Sequence, residues 1–100
     1  MKICYYSIKA RIMIEGLTYN ITREFSSYDK YELLLIFSAL TNHNIFHDTY
    51  VSFYDKNKNC IIRFYRRFDG YCLFERFTGK EQYFDELDYK QFSAIVQQYL

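Results

Sequence analysis

Two strand hairpins, each followed by a helical stretch, predict a single α+β domain over residues 1–100, built as one antiparallel sheet of about five strands with two helices in the order ββαβββα. Three observations carry that expectation. Residues 3–14, 17–25, 48–54 and 60–67 alternate apolar with polar side chains, as half-buried strands do. Asp69-Gly70 stands between two aromatic-rich runs, the strongest short-range signal for a hairpin closed by a type I′ turn. Residues 28–41 and 86–99 instead show helical spacing behind acidic cap residues.

In the first strand Cys4, Tyr6, Ile8, Ala10, Ile12 and Ile14 share one side. A turn at Glu15-Gly16 then pairs Ile14 with Leu17, Ile12 with Tyr19 and Ala10 with Ile21. The other side pairs Arg11 with Asn20, Lys9 with Thr22 and Ser7 with Glu24, a solvated sheet surface. Asp29 and Glu32 form a capping-box pattern for the first helix, whose buried stripe reads as Tyr31, Leu34, Leu35 and Ser38, supported by Phe37 and Leu40. Asn42-His43-Asn44 stops it.

Lys56-Asn57-Lys58-Asn59 turns the next pair of strands, with Asp55 opposite Cys60, Phe53 opposite Ile62 and Val51 opposite Phe64. Tyr71, Leu73 and Phe77 continue this apolar face. After Thr78-Gly79-Lys80, Asp85 caps a second helix stapled by Phe84 and Tyr89, with Phe92, Ile95, Val96 and Tyr99 inward. Phe37-Ser38-Ala39-Leu40 and Phe92-Ser93-Ala94-Ile95 echo one another, too briefly to establish a ββα duplication.

Composition narrows the function classes. A net charge of +1 argues against a strongly basic nucleic-acid binder and against an acidic nucleic-acid mimic, so any electrostatic role is local. Twelve Tyr and ten Phe exceed what a core of this size needs, which places aromatic surface in solvent. Cys4, Cys60 and Cys72 fall in predicted strands without CxxC spacing and read as small apolar residues in a reducing compartment, with the cytoplasm as the expected location. No apolar run reaches the roughly 18 residues of a membrane span. The absence of proline and the surplus of Ile, Tyr, Phe, Lys and Asn fit an AT-rich bacterial or phage genome.

No nucleophile triad, P-loop, dinucleotide fingerprint or zinc-protease motif occurs, so neither catalysis nor a cofactor is expected. Asp85, Glu86 and Asp88 read as helix-start acids rather than a catalytic carboxylate pair. His43, His47 and Asp48 offer three ligand types but lack a fourth at suitable spacing, and no metal is expected.

The informative surface is the far face of the last three strands, with Tyr50, Ser52 and Tyr54, then Ile61, Arg63, Tyr65 and Arg67, then Cys72, Phe74 and Arg76. In the type I′ register Arg67 faces Cys72, Tyr65 faces Phe74 and Arg63 faces Arg76, and like charges set opposite each other call for a partner. Arg and Tyr dominate binding hot spots because they combine planar stacking with hydrogen bonding. The expectation is a non-catalytic protein-binding module that uses Arg63, Arg67, Arg76, Tyr65, Phe74, Tyr50 and Tyr54 as contacts. A host effector or nuclease is the expected partner, and the chain's profile fits a phage or mobile-element inhibitor of a host defence protein, in the manner of an anti-CRISPR factor. The competing expectations are a helix covering this face, self-association into a homodimer through it, single-stranded nucleic-acid or RNA binding on it, and a small metal-free ribonuclease. Gly70-Tyr71-Cys72-Leu73-Phe74 echoes an RNA-recognition strand only loosely.

Overall fold

A computed structural model describes residues 2–14, 16–26, 28–29 and 31–100. Its elements are β1 (Tyr5–Ile12), β2 (Thr18–Glu24), α1 (Glu32–Thr41), β3 (Phe46–Tyr54), β4 (Cys60–Arg67), β5 (Gly70–Glu75), β6 (Glu81–Phe84) and α2 (Tyr89–Gln97). The strands form one antiparallel sheet in the order β2-β1-β3-β4-β5-β6. The α+β architecture is therefore as expected, with a sixth strand added by the hairpin that closes on Glu75 and Lys80. Among the described residues no helix is long and apolar enough to cross a membrane.

Both helices lie on one side of this sheet. Val51, Phe53, Ile62, Phe64 and Leu73 turn toward them and are essentially inaccessible to water, as are Ile36 and Leu40 of α1 and Phe92 and Val96 of α2. Phe92 sits at the centre, with its ring 4.8 Å from Phe64, 5.3 Å from Phe37 and 6.2 Å from Phe53. Burying each such ring contributes roughly 1.5–3 kcal/mol. A bulge at Phe53/Tyr54 puts Tyr54 opposite Cys60 where Asp55 was expected, and Ile61 joins Ile62 in the core rather than the far face.

Both outer hairpins pair two residues away from the expected register. Ala10 meets Tyr19 and Ile8 meets Ile21, while the predicted turn at Glu15 lies outside the described residues. In the β4–β5 hairpin Arg67 meets Gly70, Tyr65 meets Cys72 and Arg63 meets Phe74, so Arg63 does not face Arg76. The reason is the use made of Gly70. Phe68 and Asp69 form the turn without positive φ, and Gly70 takes φ +140° just past them. A Cβ on Gly70 would stand 2.6 Å from the carbonyl oxygen of Phe84, so the missing side chain admits the end of β6.

The helices also start later than predicted. Asp29 accepts from the Tyr31 amide and Glu32 from the Ser26 amide, so neither closes the expected box and α1 begins at Glu32. Its buried residues are Leu33, Ile36 and Leu40; Tyr31, Leu34, Leu35 and Ser38, expected inward, are exposed. In α2 the capping box belongs to Asp88 and Gln91, not Asp85. Phe92 and Val96 are buried and Ile95 and Tyr99 half-buried, as the spacing predicts, whereas Phe77 is exposed.

Arg66 holds these layers together. It follows Ile62 and Phe64 on the helix side of β4 and is 1% exposed. Nε donates to the Leu40 carbonyl at 2.6 Å, and Nη2 donates to Phe46 O at 2.8 Å, Asn42 O at 3.3 Å and Thr49 Oγ1 at 3.2 Å. Nη1 reaches His47 O at 3.2 Å and His43 Nδ1 at 3.3 Å, and His43 Nε2 shares a hydrogen bond with the Tyr71 hydroxyl at 3.4 Å. Burial lowers the Arg66 pKa, opposed by Tyr71 and Asp48, yet a guanidinium stays charged at any ordinary pH. Its charge is met by the negative end of α1 and by carbonyls of the loop that follows.

Replacing Arg66 by Ala leaves these acceptors dry and unpaired and opens a cavity. The expected loss is about 3 kcal/mol or more in urea denaturation, and a loss below about 1 kcal/mol would contradict this role.

Candidate interaction face

Among the described residues nothing forms a covering layer on the side of the sheet away from the helices. Alternation sets Ser7 and Lys9 of β1, Tyr50, Ser52 and Tyr54 of β3, Arg63, Tyr65 and Arg67 of β4, and Cys72 and Phe74 of β5 on this face. The β4–β5 slip is two residues, an even number, so apart from Ile61, which the β3–β4 bulge turns into the core, the side chains of β4 and β5 stay on their expected faces although their partners change. Tyr50 and Phe74 are 38% and 39% exposed, Arg63 and Arg67 are exposed, and Tyr54 and Tyr65 are half-buried.

Tyr50 and Tyr65 are direct cross-strand neighbours, with rings stacked 4.2 Å apart at an interplanar angle of 13°. Burial raises the Tyr65 pKa, helped by its hydrogen bond with Tyr50. Tyr54 and Ser7 share a hydroxyl–hydroxyl hydrogen bond of 2.8 Å. Arg63 donates from Nε to Ser52 Oγ at 2.8 Å, which aims the rest of the guanidinium away from the backbone.

Five of the seven predicted contacts, Tyr50, Tyr54, Arg63, Tyr65 and Phe74, thus gather on adjacent strands. The other two stand apart. Arg67 is at the hairpin tip, paired with Asp69 at 3.3 Å. Arg76 lies beyond β5, its amide donating to Ile61 O, and both it and Arg63 act on Cys60.

Next to the Tyr pair is an open cleft of about 490 Å³, lined by Ser7, Lys9, Thr22, Ser52, Tyr54 and Arg63 among others. No Asp or Glu lines it. Sequence reasoning left Lys9 and Thr22 in an ordinary solvated face, because the β1–β3 pairing that brings them beside Tyr50 crosses α1 in sequence and has no local signal. A second cavity, about 710 Å³, lies between the C-terminal end of α1, the β4–β5 tip and the β6–α2 link, and includes Phe37, Tyr71, Asp85 and Glu86 in its wall.

The His43 ring is engaged within the fold and that of His47 is exposed. His43 serves Arg66 and Tyr71, His47 offers Arg66 its carbonyl, and Asp48 pairs with Arg11 at 3.3 Å. Among the described residues no three His, Cys, Asp or Glu side chains converge as metal ligands would. Cys4, Cys60 and Cys72 are free thiols. Burial raises the pKa of Cys60, opposed by Arg63 and Arg76, and burial followed by Glu81 raises that of Cys72.

The arrangement defines a small α+β protein with an open, partly preorganised aromatic and cationic sheet face. Comparison of the chain with protein-family models, with curated proteins and with solved structures finds no match.

Two outcomes follow from the geometry. A double-mutant cycle of Tyr50→Ala and Tyr65→Ala is expected to give a coupling of about 0.5–1.5 kcal/mol, and additivity would contradict the stack. Alkylation of Cys60 and Cys72 by iodoacetamide at neutral pH, followed by peptide mapping, is expected to run slower than that of free cysteine and to accelerate as pH rises through and beyond the ordinary thiol range. Rates equal to free cysteine at neutral pH would contradict the raised thiol pKa values.

Proposed function

We propose that the protein is a non-catalytic binding module that docks a protein partner on its open sheet face. The supporting observation is that both helices pack on the opposite side, leaving Tyr50, Tyr54, Arg63, Tyr65 and Phe74 together and accessible at the centre of the sheet. Rings held by stacking and an arginine held by Ser52 lose little conformational freedom on binding, and such residues dominate the energetics of protein interfaces. Three free thiols fit work in a reducing cytoplasm. A host effector or nuclease is the partner class we favour, in keeping with a compact aromatic-rich inhibitor of phage or mobile-element type.

The experiment is affinity capture from lysate of the source's host cells, with nuclease treatment of the eluates. It compares wild type with an Arg63→Glu/Phe74→Glu variant that still melts cooperatively. A nuclease-resistant protein partner reduced at least about tenfold in the variant is expected. Equal capture by both proteins would remove the face from the binding function, and an eluate of nucleic acid alone would replace the partner class.

A further inference from the structure

Within this face the cleft beside Tyr50 has a chemistry of its own, and we infer that it is a carboxylate-binding subsite that takes an Asp or Glu side chain from an acidic segment of the partner. The inference rests on the docking reading and specifies what the partner must carry.

Lys9 and Arg63 bring two positive charges to the cleft, and no carboxylate lines it. Neither residue forms an ion pair among the described residues, where the ion pairs are Arg11–Asp48 and Arg67–Asp69. Arg63 commits only Nε, to Ser52, so its two Nη groups remain for the two oxygens of one carboxylate. Ser52 is 2% exposed and Ser7 is tied to Tyr54, so the floor that positions the arginine is built rather than mobile. Thr22, Ser52 and one of the mutually bonded Ser7 and Tyr54 hydroxyls have O–H groups that can donate to an anion in this space.

Three observations favour a single carboxylate over a nucleic-acid backbone. The chain carries a net charge of only +1, far from the basic surplus that binds polyphosphate. Tyr50 and Tyr65 stack on one another, so each ring has at most one face left for a base. Glu81 acts on Cys72 of the same face, where its charge would repel a run of phosphates continuing across β5.

The test is a titration of ¹⁵N-labelled protein at low salt, followed by NMR, with a capped tetraglutamate peptide, its tetraglutamine counterpart, inorganic phosphate and a short oligothymidylate. Tetraglutamate is expected to shift the Arg63 Nε–H signal and the amides of Lys9, Tyr50 and Ser52 saturably, and tetraglutamine to leave them in place. Arg63→Gln and Lys9→Gln, each checked for a cooperative melt, are each expected to weaken the tetraglutamate response about tenfold. Tighter binding of phosphate or oligothymidylate at these signals would overturn the carboxylate assignment, as would no saturable response or an unchanged response in both variants. Partner capture by a Tyr65→Ala protein separates the two readings. Capture lost in that variant without any tetraglutamate response overturns the subsite alone, whereas capture indifferent to Tyr65 alongside a saturable response overturns the docking face alone.

Discussion

A guanidinium taken out of water has to be saturated with acceptors, and the burial of Arg66 imposes that condition on the centre of this molecule. No carboxylate contacts it among the described residues. Its six acceptors are carbonyls of Leu40, Asn42, Phe46 and His47, the Thr49 hydroxyl and one nitrogen of His43. These come from the end of α1, the following loop and the start of β3, so one side chain of β4 fixes where the helix ends and how the chain re-enters the sheet. Replacing it by a hydrophobe would leave several carbonyls dry, which is why one cation does what apolar packing cannot.

That tie also decides which side of the sheet faces water. Arg66 shares the helix side with Ile62 and Phe64, and strand alternation then sends Arg63, Tyr65 and Arg67 outward. The two arginine environments on β4 are thus opposite in kind. Arg66 is locked by backbone acceptors and supports the fold, while Arg63 is held at one nitrogen and presents the remainder. The Tyr50–Tyr65 stack lies directly across β3 and β4, on strands whose other side is packed under Phe92, so the face inherits the rigidity of the core behind it.

Apart from Ile61, face membership was legible in the sequence, as were the β3–β4 pairing and the phase of α2, while the pairing of the other two hairpins and the phase of α1 were not, for reasons visible in single residues. Alternation reports which side a strand residue takes, and slips of two residues in both outer hairpins leave that answer intact. The slip itself was hidden because Gly70 suits a type I′ turn by type, whereas here it admits Phe84 from a four-residue strand with almost no pattern of its own. In α1 the run Leu33-Leu34-Leu35-Ile36-Phe37 is apolar on every side, so periodicity could not choose the buried stripe. Asp85 and Asp88 are equivalent caps by type, and Gln91, placed to close a box with Asp88 alone, was the distinguishing signal. Arg66 continues the alternation of Ile62 and Phe64 along β4, and only the rarity of buried arginine keeps the sequence from marking it as a core residue. The cleft could not be read because β1 and β3 are brought together only by the crossover through α1.

The most direct test of the central claim is backbone hydrogen exchange in an Arg66→Met protein, whose side chain fills the site without donating. The account predicts that residues 41–49 lose protection well beyond the global change in stability, by about tenfold or more, while the β4–β5 amides follow the global change. Unchanged protection at 41–49, or a uniform rise across the sheet, would contradict a fold held at this point by Arg66.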